Sequence, residues 1–234
     1  MRSQSTSGDN PSLSRTTPRR SFLARAFAST AGFAGLVSTP SILHAIDPSH
    51  VTADDDWMAA LTGKHRVVFD VAAHLNGKAL AQSRNYLNAW EHDFHVPERD
   101  VNVVLGFHGE AMPIVLRDSL WSTYQLGAQY AVRDVATTNP AVRNVFQDAN
   151  AISGGLVTAE QTVEALQKRG VRFLVCMNTI AGAAQKLAAA GLGAAETIRA
   201  ALLGGLLPGV IAVPAMVVTL TQLQERGLAY TKVG

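Results

Sequence analysis

Apolar residues along the chain form short runs that alternate with segments of helical spacing. Four runs rich in apolar and β-branched residues predict buried strands, at 65–71 (HRVVFDV), 101–107 (VNVVLGF), 170–176 (GVRFLVC) and 210–213 (VIAV). The tail over 228–233 predicts a further short strand or a packed extension. Strands that alternate with helices predict an α/β fold, a compact single-domain parallel sheet of about five strands with helices on both faces.

The segments between these runs carry helical signals. A stripe with a period of 3.6 residues predicts an amphipathic helix ending near Glu91, and it comprises Leu80, Ser83, Leu87 and Trp90. Local start and stop signals predict further helices, over 139–148 after an Asn-Pro pair, from the Thr158–Gln161 capping box to Gly170, and over 179–190, 194–203 and 214–227.

The first 45 residues have the features of an export signal. A Ser/Thr-rich start precedes the pair Arg19-Arg20, an apolar segment follows over 26–37, and Ala45 offers a small residue for cleavage. We therefore predict a disordered N-terminus with a twin-arginine signal over 1–45, and a periplasmic location for the mature protein. The mature chain would then consist of an arm over 46–64 and an α/β domain over 65–234.

Removal of the signal changes the charge of the chain. Residues 1–45 contain five arginines and one aspartate, so cleavage takes the formal charge from +2 to −2 and leaves no basic cluster for nucleic acid. The apolar stretch over 200–218 is interrupted by glycine and proline, so we predict no membrane span in the mature protein. Because only 16% of residues are charged and 47% are hydrophobic, we also expect surfaces covered by other subunits.

Cys176 is the only cysteine in the chain, which excludes an internal disulfide. It ends an apolar run that precedes a helical pattern, and therefore belongs at the carboxyl end of a parallel strand. Ligand crevices of open α/β sheets lie at those ends, and the positive end of the next helix favours a thiolate there. The alternative is a buried, unreactive thiol, since free cysteine is among the most buried residue types.

Polar residues after the first two strands are predicted to meet Cys176 at the same edge of the sheet. His108 and His74 each follow a strand, and a histidine there could take the proton of the thiol or hold a ligand. We assign Cys176 and His108 as candidate catalytic residues. The candidate substrate-binding residues are Asn178, Thr179, His74, Asn76 and Gly109. The alternative roles are hydrogen bonds to loop carbonyls for the histidines and helix capping for the amides and Thr179.

The ordered set of motifs resembles the DsrE/DsrF-like (YchN-like) proteins. The motifs are His108-Gly109, Gly170-Val171 leading into Val175-Cys176, Leu207-Pro208-Gly209, and the segment from Gln224 to Tyr230. The resemblance covers roughly residues 64–234 and implies a compact α/β fold that assembles into homo-trimers or hexamers. It also implies that Cys176 carries a persulfide, as the corresponding cysteine does in the sulfur-relay members. Those carriers are cytoplasmic, whereas this chain carries an export signal.

Two functions from different classes follow for this chain. The first is an exported, cysteine-based sulfur carrier or sulfurtransferase-like relay, whose partners are a sulfur donor or acceptor protein or a small sulfur compound. It requires no cofactor and no metal, and the sequence contains no GxGxxG, Walker, HExxH, CxxC or GxSxG motif. The second is a non-catalytic, oligomeric periplasmic module that binds a small ligand or metal, in which the cysteine is incidental.

Overall fold

The computed structural model describes residues 55–148 and 156–233, which contain one five-stranded sheet. Its strands are β1 His65–Val71, β2 Val101–Phe107, β3 Arg172–Cys176, β4 Val210–Val213 and β5 Ala229–Val233. The order across the sheet is β4-β3-β2-β1-β5, and every neighbouring pair is parallel. The predicted α/β fold with a parallel sheet of five strands is therefore confirmed.

Helices fill the connections between the strands. The α-helices are α1 Asp55–Ala59, α2 Lys78–Asn88, α3 Asp118–Thr123, α4 Leu126–Gln129, α5 Val163–Lys168, α6 Met177–Ala189, α7 Ala195–Gly204 and α8 Met216–Glu225. A π-helical turn over Ala89–Asp93 extends α2. No helix of the described segments combines the length and the apolar character that crossing a membrane would require.

The strand order distributes the helices unequally over the two faces of the sheet. Strands β1 to β4 follow one another in one direction, and β5 returns to the far side of β1. Right-handed crossovers therefore place the first connections on one face and α8 on the other. Phe69 and Leu80 belong to the buried cluster of the first face, which we call the multi-helix face. Val68 and Leu220 belong to the cluster of the opposite face, which we call the α8 face.

The helix predicted over 139–148 is wrong. The chain over 141–148 forms bends and turns instead. The buried Asn144 amide stabilises this path because it donates to the carbonyl oxygens of Ile114 and Leu116 at 2.9 and 2.7 Å. A side chain that binds the main chain of another segment in this way competes with local helical hydrogen bonds.

The capping box predicted at Thr158–Gln161 lies on a shorter element than expected. The Gln161 side chain accepts a hydrogen bond from the Thr158 backbone N–H at 3.0 Å. This contact closes a single 3-10 turn, and α5 begins only after Thr162, whose hydroxyl accepts from the Ala165 N–H at 3.1 Å. Two successive caps therefore precede the helix.

The twin-arginine signal predicted over 1–45 lies outside the described residues, as does the first part of the predicted arm. The described part of that arm contains α1, and its Met58 and Leu61 are buried in the cluster of the α8 face. The arm thus contributes apolar side chains to the face that has only one long helix.

Candidate functional site

Cys176 lies where the chain leaves the carboxyl end of β3. It is both the last residue of β3 and the N-cap residue of α6. The connection after β3 leads to the multi-helix face, whereas the connection after β4 leads to α8 on the opposite face. Adjacent strands whose connections diverge in this way form the switch point at which open α/β sheets place their ligands.

The Cys176 sulfur packs against the start of α8. It accepts a hydrogen bond from the backbone N–H of Met216, the first residue of that helix, at 3.4 Å. The N-terminal ends of two helices, α6 and α8, therefore lie next to one sulfur atom, and both ends favour negative charge. The residue is also buried, with 6% of its surface exposed, in the apolar cluster that includes Leu174 and Val213.

His108 follows the end of β2, the strand next to the one that ends at Cys176. Phe107 pairs with Val175 in the parallel register of β2 and β3, so the next residue on each strand is His108 and Cys176. The His108 Nε2 atom lies 2.6 Å from the Asp70 carboxylate, in a charge-assisted contact. The hydrogen bonds of these two side chains thus lead in different directions, from Cys176 to α8 and from His108 to β1.

Asp70 and Tyr230 complete a polar cluster that the sequence reasoning missed. Asp70 is buried on β1, and its second carboxylate oxygen accepts a hydrogen bond from the Tyr230 hydroxyl at 2.7 Å. This hydrogen bond raises the pKa of Tyr230 above its usual value, and desolvation and the charge of Asp70 add to the effect. The available signal was a single carboxylate within the apolar run HRVVFDV, one position before the strand ends.

Gly106 brings α8 close to the sheet beside this cluster. It pairs with Asp70 on one side and with Leu174 on the other, so its missing side chain leaves a gap on the α8 face. A Cβ atom at this position would lie 2.6 Å from the Met216 sulfur, which occupies the gap. Met216 therefore contacts the Cys176 sulfur through its backbone N–H, and its side chain fills the gap beside Gly106.

Gly109 and Thr179 connect the loop after β2 to α6. The Gly109 N–H donates to the Thr179 hydroxyl at 3.2 Å. Gly109 has a φ of +53°, and a Cβ there would lie 2.7 Å from the Ala72 carbonyl oxygen, so the close approach requires glycine. The prediction that Asn178 and Thr179 cap the helix is wrong, because α6 already begins at Met177. Asn178 is exposed on its first turn.

His74 and Asn76 stabilise the loop after β1. The His74 Nδ1 atom accepts from the Asn76 backbone N–H at 3.2 Å, so the neutral ring carries its proton on Nε2 and donates it to the Tyr130 carbonyl at 3.0 Å. These contacts agree with the alternative role of His74, a hydrogen bond to a loop carbonyl, and none of them involves Cys176 or His108. Burial, together with the nearby charge of Glu110, raises the pKa of Tyr130 to about 12.

The comparisons with known proteins identify no function. No family model matches the chain, and no curated protein matches it significantly. Among solved structures, the chain is similar to a protein of unknown function from Methanobacterium thermoautotrophicum, with 19% identity and a TM-score of 0.39. That match covers 72% of this chain and 99% of the other.

Within residues 55–148 and 156–233, no three His, Cys, Asp or Glu side chains converge as a metal site would require.

Proposed function

We propose that this chain is an exported DsrE-like protein whose Cys176 accepts sulfane sulfur as a persulfide and passes it to an acceptor, with assistance from His108. The observation that carries the proposal is the position of the Cys176 sulfur. It lies at the carboxyl end of a parallel strand, accepts a hydrogen bond from the backbone N–H of Met216 at the start of α8, and belongs to the N-cap residue of α6. Helix N-termini and backbone N–H donors interact favourably with a thiolate, which is the nucleophilic form of cysteine.

His108 supports this chemistry by its place in the register. It directly follows Phe107, which pairs with the residue before Cys176, and its imidazole is 29% exposed, so it can exchange protons with solvent. A histidine at a reacting thiol takes the proton that the nucleophile must lose. The exposed Asn178 and the loop residue Gly109 lie at the same edge of the sheet, where an incoming sulfur compound would approach.

The setting of the proposed function is a homo-oligomer in the periplasm. The resemblance of the motifs to the DsrE/DsrF-like proteins favours a trimer or hexamer, and the twin-arginine signal predicted over 1–45 favours the periplasm. The exposed apolar side chains of Val217 and Val218 on α8 fit a surface that another copy covers. The sulfur donor and acceptor would be a small sulfur compound or a protein that carries one.

A second candidate function is a non-catalytic binding or assembly module, and the burial of Cys176 favours it. A thiol with 6% exposure in an apolar cluster has the surroundings of a structural cysteine. In that case the sulfur serves as the hydrogen-bond acceptor that α8 needs at its first turn, and the edge of the sheet holds a ligand without reacting with it.

Sulfur loading separates the two functions. The purified chain is incubated with inorganic polysulfide, and its intact mass is measured. A carrier gains one or more increments of about 32 Da, the mass of sulfur, at Cys176, whereas a binding module gains none. The control is Cys176→Ser, which is close in size and should remain folded without gaining the increment. Alkylation of the native chain at neutral pH provides a second readout, since prompt labelling indicates a reactive thiol and resistance indicates a structural one.

A further inference from the structure

Asp70 is a buried carboxylate on a sheet face that otherwise has an apolar centre. It is 8% exposed, and each of its two oxygens has one short contact, with His108 Nε2 at 2.6 Å and with the Tyr230 hydroxyl at 2.7 Å. An ionised carboxylate is costly to bury unless hydrogen-bond donors compensate it. Such a group adds little to the stability of the core, since an apolar side chain could pack at this position without requiring hydrogen-bond donors.

The cluster crosses three strands toward Cys176. Tyr230 lies on β5 in register with Val68, Asp70 lies two residues further along β1, and His108 follows the end of β2. Residues in register on neighbouring parallel strands share a face, and residues two apart on one strand do so as well. Tyr230, Asp70 and His108 therefore form a diagonal on the α8 face, and Cys176 is the next register position beyond it.

The Asp70 contact fixes the tautomer of His108. A carboxylate only accepts hydrogen bonds, so the Nε2 atom of His108 must carry a proton. In the neutral ring the lone pair then lies on Nδ1, which has no hydrogen-bond partner among the described residues. The ring is ready to accept a proton at the nitrogen that faces away from Asp70.

We infer that Asp70 and Tyr230 are positioning residues for the reaction of Cys176, and that they hold His108 with Nδ1 as the atom that receives the thiol proton. This inference rests on the proposed function. Asp70 fixes the ring and stabilises the imidazolium that forms, as a buried carboxylate does for the histidine of a serine-protease triad. Tyr230 occupies the remaining carboxylate oxygen and keeps Asp70 oriented toward the ring. The raised pKa of Tyr230 agrees with a hydroxyl that retains its proton beside this carboxylate.

The proposed step balances without an oxidant or a cofactor. His108 Nδ1 takes the proton of the Cys176 thiol, and the thiolate attacks the outer sulfur of a persulfide or polysulfide, R–S–SH. An S–S bond forms between Cys176 and that sulfur, while the S–S bond of the donor breaks. The leaving thiolate RS⁻ takes the proton from His108 and departs as RSH. Cys176 is left as a persulfide, and the imidazole returns to its neutral form.

Two other charged residues lie near this cluster in the register and along the loop. Lys232 pairs with Asp70 in the register of β1 and β5 and is exposed, and Glu110 lies two residues further along the loop of His108. The first turn of α8 contains no acidic residue.

The test compares Asp70→Asn and Tyr230→Phe with wild type in single-turnover loading from inorganic polysulfide. An asparagine can donate to Nε2 and so select the other tautomer, and we expect Asp70→Asn to slow loading about tenfold and to alter its pH profile. Tyr230→Phe removes one hydrogen bond and should slow loading about threefold. Matched controls are Asp93→Asn on an exposed turn and Tyr86→Phe on α2, and both should load at the wild-type rate.

A spectroscopic measurement separates positioning from folding. The histidine nitrogen-15 spectrum should show His108 as the Nε2–H tautomer in wild type, assigned by comparison with His108→Gln, and should show a shift toward Nδ1–H in Asp70→Asn. If Asp70→Asn fails to fold, the partly exposed Tyr230→Phe decides. If these variants load sulfur at the wild-type rate, with the wild-type pH profile and the wild-type His108 tautomer, the inference is overturned while the proposed function stands. Failure of wild type itself to gain sulfur would overturn the proposed function, and the inference with it.

Discussion

The two faces of the sheet are built in different ways. The multi-helix face carries one continuous apolar cluster that includes the largest fully buried aromatic side chains, Trp121, Phe107, Phe146 and Phe173. The α8 face has one long helix, a glycine at its centre, the Asp70 cluster, and two exposed valines on the outer side of α8. The first face stabilises the fold, and the second combines chemistry with an apolar surface.

The difference follows from the strand order. Three crossovers in one direction require several helices on one face, and those helices bury both the sheet and one another. The single return crossover places one long helix, α8, on the other face. The free-energy cost of burying the Asp70 carboxylate is offset there, because both of its oxygens have partners, His108 after β2 and Tyr230 on β5, that are themselves partly exposed to solvent.

The largest expected effect comes from the aromatic core of the multi-helix face. Phe173 is fully buried, and its ring stacks on Phe107 with centroids 5.8 Å apart. Phe173→Ala should lower the free energy of unfolding by about 3–5 kcal/mol, because it removes buried area and leaves a cavity. Denaturant titration measures this value. The control on the other face is Val217→Ala, at a side chain 72% exposed, which should change it by less than about 0.5 kcal/mol. Similar losses in the two variants would refute the assignment of Phe173 to a tightly packed core.

A second comparison uses two glycines with opposite surroundings. Gly106→Ala should lower the free energy of unfolding by about 1–3 kcal/mol, because its Cβ would meet the Met216 sulfur at 2.6 Å and displace the start of α8. Gly182 lies inside α6 with no atom within 4 Å of such a Cβ, so Gly182→Ala should stabilise the protein by about 0.5–1 kcal/mol. Thermal unfolding reports both signs. A neutral Gly106→Ala would mean that Met216 moves aside freely.

One tyrosine on each face has a raised pKa, and the two together predict how the stability of the fold depends on pH in alkali. Burial and Glu110 raise the pKa of Tyr130 to about 12 on the multi-helix face, whereas the pKa of Tyr230 is raised chiefly by its hydrogen bond to Asp70. A raised folded-state pKa favours the protonated form. Each contribution to stability is therefore complete below the unfolded value of about 10 and is lost as the pH rises through the folded value.

Ultraviolet absorbance of tyrosinate measures these two ionisations. Tyr130→Phe should remove the component near pH 12, and Tyr230→Phe should remove a component that lies above the usual tyrosine value of about 10. The stability of Tyr130→Phe should also depend less on pH between about 10 and 12 than that of wild type. Tyr86→Phe serves as the control for the loss of one tyrosine signal. Ionisation of Tyr130 near the usual tyrosine value of about 10 would contradict its burial in the cluster of the multi-helix face.

Local signals were sufficient for the strands and for Cys176. The bounds of β1 and β2 agree with the apolar runs at 65–71 and 101–107, because buried parallel strands are nearly continuous apolar runs. The end of β3 at Cys176 was predicted on the same grounds. The missing helix over 139–148 had good local signals, and contacts from Asn144 to a distant segment outweighed them.

The polar cluster depends on contacts that are remote in sequence. Tyr230 and Asp70 are 160 positions apart, and they meet because β5 returns to the side of β1 instead of following β4. Short-range patterns do not determine that choice of neighbour. The same holds for the sulfur of Cys176, whose partner is the start of α8 and not the Asn178-Thr179 pair that follows it in the chain.

The smallest expected effect on stability belongs to the outer side of α8, where another copy is predicted to bind. Val217 and Val218 are 72% and 55% exposed on a helix whose inner side is already buried against the sheet. If a trimer or hexamer covers them, the double variant Val217→Lys, Val218→Lys should fold normally and yet dissociate, because uncompensated charges at the centre of an interface are strongly unfavourable. Light scattering at micromolar concentration would then report a smaller species than for wild type.

A matched control shows whether that dissociation is specific to α8. Val142 is 70% exposed in the turn region over 141–148, away from the residues of the α8 face cluster, so Val142→Lys should leave the mass of the assembly unchanged. A change with Val142→Lys and none with the α8 variant would place the interface on the other side of the molecule. A wild-type monomer would remove the oligomer from the proposal, and the exposed valines would then need another partner. Because the α8 face also holds Cys176 and Asp70, loss of the assembly in the double variant should be followed by a measurement of sulfur loading, which tells whether the neighbouring copy contributes to the site.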